Sequence, residues 1–219
     1  MSRLVLLFDL DGTLVDTDPL HIGAFSTLLA ERGRTLSLHD YRAHVMGASD
    51  DAIGAFLFPD VAPEQHAPLM ERKETLVRAA LDSLAPTPGL LALLDWAAAR
   101  DVPCGVVTNA PRLNAQAMLA AIGLGDRFPV IVIGQELPRA KPDPLPYLTG
   151  LQRLGGEAAR AIAFEDSLSG VRAASGAGIF TFGLRGALDD AALRAAGAHA
   201  TIADFTDAAL HDKLAAMLA

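Results

Sequence analysis

Cysteine is almost missing from this chain: Cys104 is the only one in 219 residues. An intrachain disulfide and a cysteine-rich zinc site are thereby excluded, and a reducing compartment is expected. Basic charge is scarce as well. With 18 Lys and Arg against 26 Asp and Glu, the formal net charge is -8 and the pI about 5.1. No local basic patch offsets this, so neither nucleic acid nor an anionic membrane is an expected partner. Long hydrophobic runs are lacking too. Only the five residues Leu4 to Phe8 precede Asp9, short of a signal-peptide core and of the roughly 20 apolar residues that span a bilayer. A cytoplasmic protein is expected. Fixed-period repeats and biased segments are absent, and 51% apolar with 20% charged residues excludes a disordered chain. At roughly 100–200 residues per domain, the length allows one domain, or one with a sizeable insertion.

What is present is an alternation. The apolar runs Leu4 to Phe8, Val102 to Val107, Val130 to Ile133, Ala161 to Phe164 and Ile179 to Phe182 read as strands buried on both faces. Between them lie helical patterns: Leu90, Leu93, Leu94 and Ala97, then Leu113 to Ile122, Leu145 to Leu154 and Leu168 to Ala174. Strand and helix in alternation predict an α/β fold, a doubly wound parallel sheet with helices on both sides. From about Asp16 to Ala85 the pattern is helical throughout. Asp18 and Pro19 suit a helix start, and Gly33 suits its end. A second helix is expected from about Pro63 to Leu84, with Lys73 among Glu71, Arg72 and Glu74 on a solvated face. The expected organisation is a core of residues 1–15 and 86–219 with a helical insertion at 16–85.

In a doubly wound sheet, ligands bind beyond the carboxyl ends of the strands. The residues there are polar: Asp9-Leu10-Asp11-Gly12-Thr13, Thr108-Asn109, Lys141 in Ala140-Lys141-Pro142-Asp143-Pro144, and Glu165-Asp166-Ser167. Four carboxylates and one ammonium on one edge are unfavourable unless a divalent cation and an anion make use of them. An oxygen-only acidic cluster suits Mg²⁺. One carboxylate can attack phosphorus, a second can exchange protons with the leaving oxygen, and lysine, hydroxyl and amide donors can hold phosphoryl oxygens. The plainer alternatives are turn residues for Asp9 and Asp11, and helix N-caps for Glu165 and Asp166. Lysine occurs only at 73, 141 and 213, which adds weight to Lys141 as a compact point charge. Cys104 reads as a buried apolar filler.

In their order and surroundings, Phe8 to Thr17, Thr108-Asn109, Lys141-Pro142 and Glu165-Asp166-Ser167 resemble the four motifs of the haloacid dehalogenase-like superfamily. The similar branch carries a helical cap after the first motif and includes phosphoglycolate phosphatases, sugar-phosphate phosphatases and β-phosphoglucomutase. The resemblance implies a Rossmann-like core with an inserted cap, and a Mg²⁺-dependent phosphomonoester hydrolase working through an aspartyl phosphate. It implies Asp9 as nucleophile and Asp11 as general acid and then base. Asp9, Asp166 and the backbone carbonyl of Asp11 would hold Mg²⁺, with Glu165 a ligand directly or through water. Thr108 and the amide of Asn109 would bind the phosphoryl group, and Lys141 would neutralise it and Asp9. His21, early in the first cap helix, is a candidate substrate contact, whereas Arg112 reads as a solvated helix start. The expected partner is a small phosphorylated metabolite, and the expected state a monomer or weak dimer.

Two alternatives stand beside this. A β-phosphoglucomutase-like phosphomutase needs cap cations for a second phosphate, but Val45-Met46-Gly47-Ala48-Ser49-Asp50 offers Met46 and Asp50 where the resemblance would place lysine and arginine. A receiver-type signalling module also uses an acidic cluster, threonine and lysine. It would need an acceptor aspartate after the third strand, where this chain has Gly134-Gln135-Glu136. Asp11 argues against dehalogenation, since only a leaving alkoxide needs a proton.

Overall fold

The computed structural model describes residues 3–46 and 48–218, so Gly47 of the Val45 to Asp50 segment above lies outside the described residues. The short apolar runs form six strands: β1 (Val5–Phe8), β2 (Cys104–Thr108), β3 (Val130–Ile133), β4 (Ala161–Glu165), β5 (Phe180–Leu184) and β6 (Ala200–Ile202). They pair in the order β3-β2-β1-β4-β5-β6, and every neighbour is parallel. Parallel pairing requires crossovers, which α5 (Leu90–Ala98), α6 (Arg112–Ala121), α7 (Leu145–Leu154), α8 (Leu168–Gly176) and α9 (Asp190–Ala196) supply, with α10 (Ala208–Leu218) closing the chain. The doubly wound α/β sheet expected from the sequence is therefore present. Its sixth strand was not legible, because Ala200-Thr201-Ile202 is too short to show a pattern.

The described chain clusters into two compact units. One holds the residues up to Asp16 and those from Ala85 onward, the other Thr17–Leu84. In the first, the strand period of two sends alternate side chains to opposite faces. Val5, Leu7, Val107, Val132, Ala161 and Ala163 pack with Tyr147 and Leu151 of α7 and with Ala173 and Ala174 of α8. On the other face Phe8 stacks on Phe164 at 4.8 Å and Phe164 on Phe182 at 5.8 Å, with Phe205 set edge-on against the first two.

The second unit contains α1 (Asp18–Ala30), α2 (Leu38–Asp40), which runs on into a π-type turn at Tyr41–Val45, α3 (Asp50–Leu57) and α4 (His66–Ala79). Its own core joins Phe25, Leu28 and Leu29 to Tyr41, Val45, Ile53, Leu57, Phe58, Leu69 and Met70. Thr17 rather than Asp18 occupies the cap position of α1. The long helix expected over 63–84 is divided, with 3₁₀ turns at Pro63–Gln65 and Leu81–Ser83 flanking α4. Lys73 corrects the sequence reading: it is buried, with Nζ 2.6 Å from Glu74 and 5.2 Å from the centre of the Phe25 ring. The reason is periodic. His66, Leu69, Met70, Lys73 and Val77 recur at helical spacing on the buried face of α4, and the adjacent charges hid this. Among the described residues no helix is long and apolar enough to cross a membrane.

Candidate active site

Strand order reverses beside β1, whose neighbours are β2 and β4, and this opens a crevice at the carboxyl ends of those strands. Leu7 pairs with Ala163 and Phe8 with Phe164, so Asp9 and Glu165 are the next pair in register. They fall on the face of Leu7 and Ala163, the face covered by α7. The backbone N–H of Asp9 donates to the carbonyl of Phe164 at 3.0 Å, fixing the residue at the strand end. Both carboxyls are buried, Glu165 completely.

Lys141 arrives from the loop after β3. Its Nζ donates to Asp9 Oδ1 at 2.6 Å and to Glu165 Oε1 at 2.5 Å, with only 8% of the residue exposed. Asn109, at the end of β2, holds that loop in place. Its side-chain N–H₂ donates to the Lys141 carbonyl and its Oδ1 accepts the Lys141 N–H, both at 3.3 Å. Thr108 is buried, and its Oγ1 accepts from the Ala110 N–H at 2.9 Å. That bond leaves the hydroxyl hydrogen to be donated elsewhere.

Asp166 follows β4 and lies against the loop after β1. Gly12 there has φ +74°, and a Cβ on it would sit 2.0 Å from Asp166 Oδ2, so a side chain at this position would displace that carboxylate. Asp11 occupies the same loop, bridged to Val15, and is half-buried. Asp9, Glu165 and Asp166 each offer an oxygen within 4.8 Å of the others.

Electrostatics follow from this crowding. Burial, reinforced by Glu165 and Asp11 and opposed by Lys141, pushes the Asp9 carboxyl up to about 8. Burial with Asp9, Glu165 and Asp11 pushes Asp166 well above the carboxylate range. Desolvation pulls the Lys141 ammonium down, but Asp9 and Glu165 outweigh it and the net displacement is upward. A single ammonium does not balance the carboxylates gathered here. A buried, all-oxygen set of carboxyl groups, held protonated at Asp9 and Asp166 by burial and crowding and ionised by a bound cation, fits a hard divalent metal.

The residues expected at the strand ends are thus brought together: Asp9, Lys141, Glu165 and Asp166 in one cluster, and Thr108 and Asn109 on the adjoining strand. His21 lies on α1 in the second unit and is half-buried. Arg112 is committed to Glu136 through two hydrogen bonds of 2.7 and 2.6 Å. Capping of α8 falls to Ser167, whose Oγ accepts the Gly170 N–H at 3.0 Å. Neither Glu165 nor Asp166 is needed for that task.

Two contributors were not legible in the sequence. Tyr147 donates its O–H to Glu165 Oε1 at 2.7 Å, though its spacing marks it only as one more buried residue of α7. Gly170 makes room for Glu165, since a Cβ there would lie 1.9 Å from the carboxyl group.

A doubly wound sheet with carboxylates and a lysine gathered at its switch point defines an α/β protein with an acidic candidate active site. The chain belongs to the haloacid dehalogenase-like hydrolase family, whose pattern matches residues 4–178. It is 30% identical over 201 residues to the phosphorylated carbohydrates phosphatase of Thermotoga maritima, covering 90% of this chain and 93% of that one. It is 32% identical over 218 residues to validoxylamine A 7'-phosphate phosphatase of Streptomyces hygroscopicus subsp. limoneus, covering 93% and 94%. In three dimensions it resembles CbbY from Rhodobacter sphaeroides in complex with phosphate, with a TM-score of 0.81, 28% identity and coverage of 94% and 96%.

Proposed function

We propose that the protein is a Mg²⁺-dependent phosphatase that hydrolyses a small phosphorylated metabolite, a sugar phosphate or a phosphoglycolate-like monoester, through an aspartyl phosphate. The observation that carries this is the buried Asp9–Lys141–Glu165 linkage with Asp166 beside it. It presents one carboxylate at a strand tip, a fixed cation to receive an anion, and an acidic donor set. The relatives named as phosphatases of phosphorylated carbohydrates support the substrate class. On this reading residues 1–15 and 86–219 are the catalytic core and 16–85 the cap. The single thiol, buried in β2, agrees with a cytoplasmic protein, acting as a monomer or weak dimer.

Asp9 Oδ attacks phosphorus as the bond to the ester oxygen breaks, and Asp11 gives that oxygen its proton. Asp11, now ionised, takes a proton from water. The water oxygen bonds to phosphorus, the Asp9–phosphorus bond breaks, and inorganic phosphate leaves. Lys141 and Thr108, with the backbone amide of Asn109, hold the phosphoryl oxygens through both steps. Asp9, Asp166 and the Asp11 carbonyl would hold Mg²⁺, with Glu165 direct or through water; when bound, the ion offsets the carboxylate charge and polarises the phosphoryl group. His21 is proposed as a substrate contact from the cap.

Water rather than a second sugar is the proposed acceptor. The cap carries Asp50 at the start of α3, and the buried cation of α4, Lys73, is already paired with Glu74. A mutase would need free cations for its second phosphate. The test is turnover of p-nitrophenyl phosphate and a panel of phosphorylated metabolites, with EDTA and with Asp9→Asn. Loss of all but a few per cent of activity in both is expected, and turnover retained by Asp9→Asn would overturn the reading. With β-glucose 1-phosphate and a trace of the 1,6-bisphosphate supplied, hexose 6-phosphate formed faster than phosphate is released would restore the mutase.

A further inference from the structure

Tyr147 is the bulkiest wholly buried side chain among the described residues. Its ring packs in a cluster that is otherwise apolar, with Leu7, Val107, Leu151, Ala163 and Ala173. Phenylalanine would fill the same space without burying a hydroxyl, and a buried hydroxyl costs stability unless it is bonded. Its bond runs to Glu165 Oε1 at 2.7 Å, the oxygen that also accepts Lys141 Nζ at 2.5 Å. The other oxygen, Oε2, accepts a longer bond of 3.2 Å from Ser167.

The two donors on Oε1 come from one short stretch. Lys141 lies in the loop after β3, and Tyr147 lies six positions on, in the first turn of α7. Asp143 ties the loop to the helix start by accepting the Leu145 N–H at 2.9 Å. The ammonium also lies 5.2 Å from the centre of the Tyr147 ring. Loop and helix thus approach Glu165 as one piece.

We infer that Tyr147 is a positioning residue for Glu165: its hydroxyl and Lys141 together commit Oε1 inward and fix the rotation of the carboxylate, so that Oε2 is the oxygen left to face a cation. Tyr147 touches neither substrate nor metal on this view and acts only through Glu165. Groups that orient metal-binding carboxylates typically change affinity by about 10- to 100-fold when removed. The inference rests on the metal reading of the cluster proposed above.

Tyr147→Phe removes one oxygen and keeps the ring. Calorimetric titration with Mg²⁺ alone, without substrate, should show affinity about tenfold weaker than the parent protein, while the unfolding temperature in EDTA stays close to the parent's. A crystal structure of the variant should show the Glu165 carboxylate rotated away from its place on Lys141. Mg²⁺ affinity equal to the parent's, or an unmoved Glu165, would overturn the inference and leave the phosphatase reading intact. Failure of the parent protein itself to bind Mg²⁺ would overturn both.

Discussion

Asn109 and Lys141 exchange two hydrogen bonds across a sequence separation of 32, the side chain of one clasping both backbone groups of the other. The clasp ties the loop after β3 to the end of β2 and so sets where the ammonium can reach. Asn109→Ala should lower kcat by roughly 10- to 100-fold, since small misplacements of catalytic groups have effects of that order. The loss of stability should be only about 1–2 kcal/mol. Steady-state kinetics beside thermal unfolding separate the two effects, and a variant with parental kcat would show that Lys141 needs no clasp.

Gly12 makes a sharper test. A methyl group there would meet the Asp166 carboxylate at 2.0 Å, and φ +74° already disfavours any side chain. Gly12→Ala should cost about 1–2 kcal/mol for the backbone alone. It should also weaken Mg²⁺ binding by more than the stability change explains, because Asp166 must move. Titration of the variant with Mg²⁺ checks this.

In the absence of metal the acidic cluster should make stability fall with rising pH. A carboxyl whose folded pKa lies above its unfolded value keeps its proton in the folded protein while the unfolded chain releases one. Stability therefore declines between the two values, and the loss is complete above the folded one. For Asp9 the window runs from the ordinary 3.8 to about 8, and Asp166 is displaced in the same direction. The unfolding temperature in EDTA should be lower at pH 8 than at pH 5, and Asp9→Asn should narrow that difference by ~2–4 °C for each kcal/mol regained. Mg²⁺ should raise the value at pH 8 in the parent protein.

Cys104 offers a probe of global unfolding. Burial in β2 pushes its thiol up to about 12, and the thiolate is the reactive form. Ellman's reagent at pH 8 should leave the native protein unlabelled over an hour and label one thiol per chain in denaturant. Prompt labelling of the native protein would mean that β2 opens locally.

Much of the site was legible because chemistry-bearing residues sit immediately after strands. Leu4 to Phe8 followed by Asp9, and Ala161 to Phe164 followed by Glu165 and Asp166, announce both the strand and its tip. Lys141 was distinguished by the rarity of lysine and by the prolines around it. Lys73 was misread because four consecutive charged residues at 71–74 suggest a solvated face, whereas the stripe from His66 to Val77 carries it inward. β6 was overlooked because three residues show no period.

The sequence by itself determined the alternation of strands and helices, the run of helices that follows β1, the acidic and lysine residues at the strand ends, and thereby the family. These are local properties, written in the spacing of apolar side chains and in which residue follows each run. Tertiary structure alone decided which oxygen meets which donor. The sharing of Glu165 Oε1 by Lys141 and Tyr147, the clasp from Asn109, and the space that Gly12 leaves for Asp166 each join residues far apart in the chain. Such contacts depend on strand order, register and the path of α7 over one face of the sheet, and none of these is encoded in the neighbourhood of any one residue.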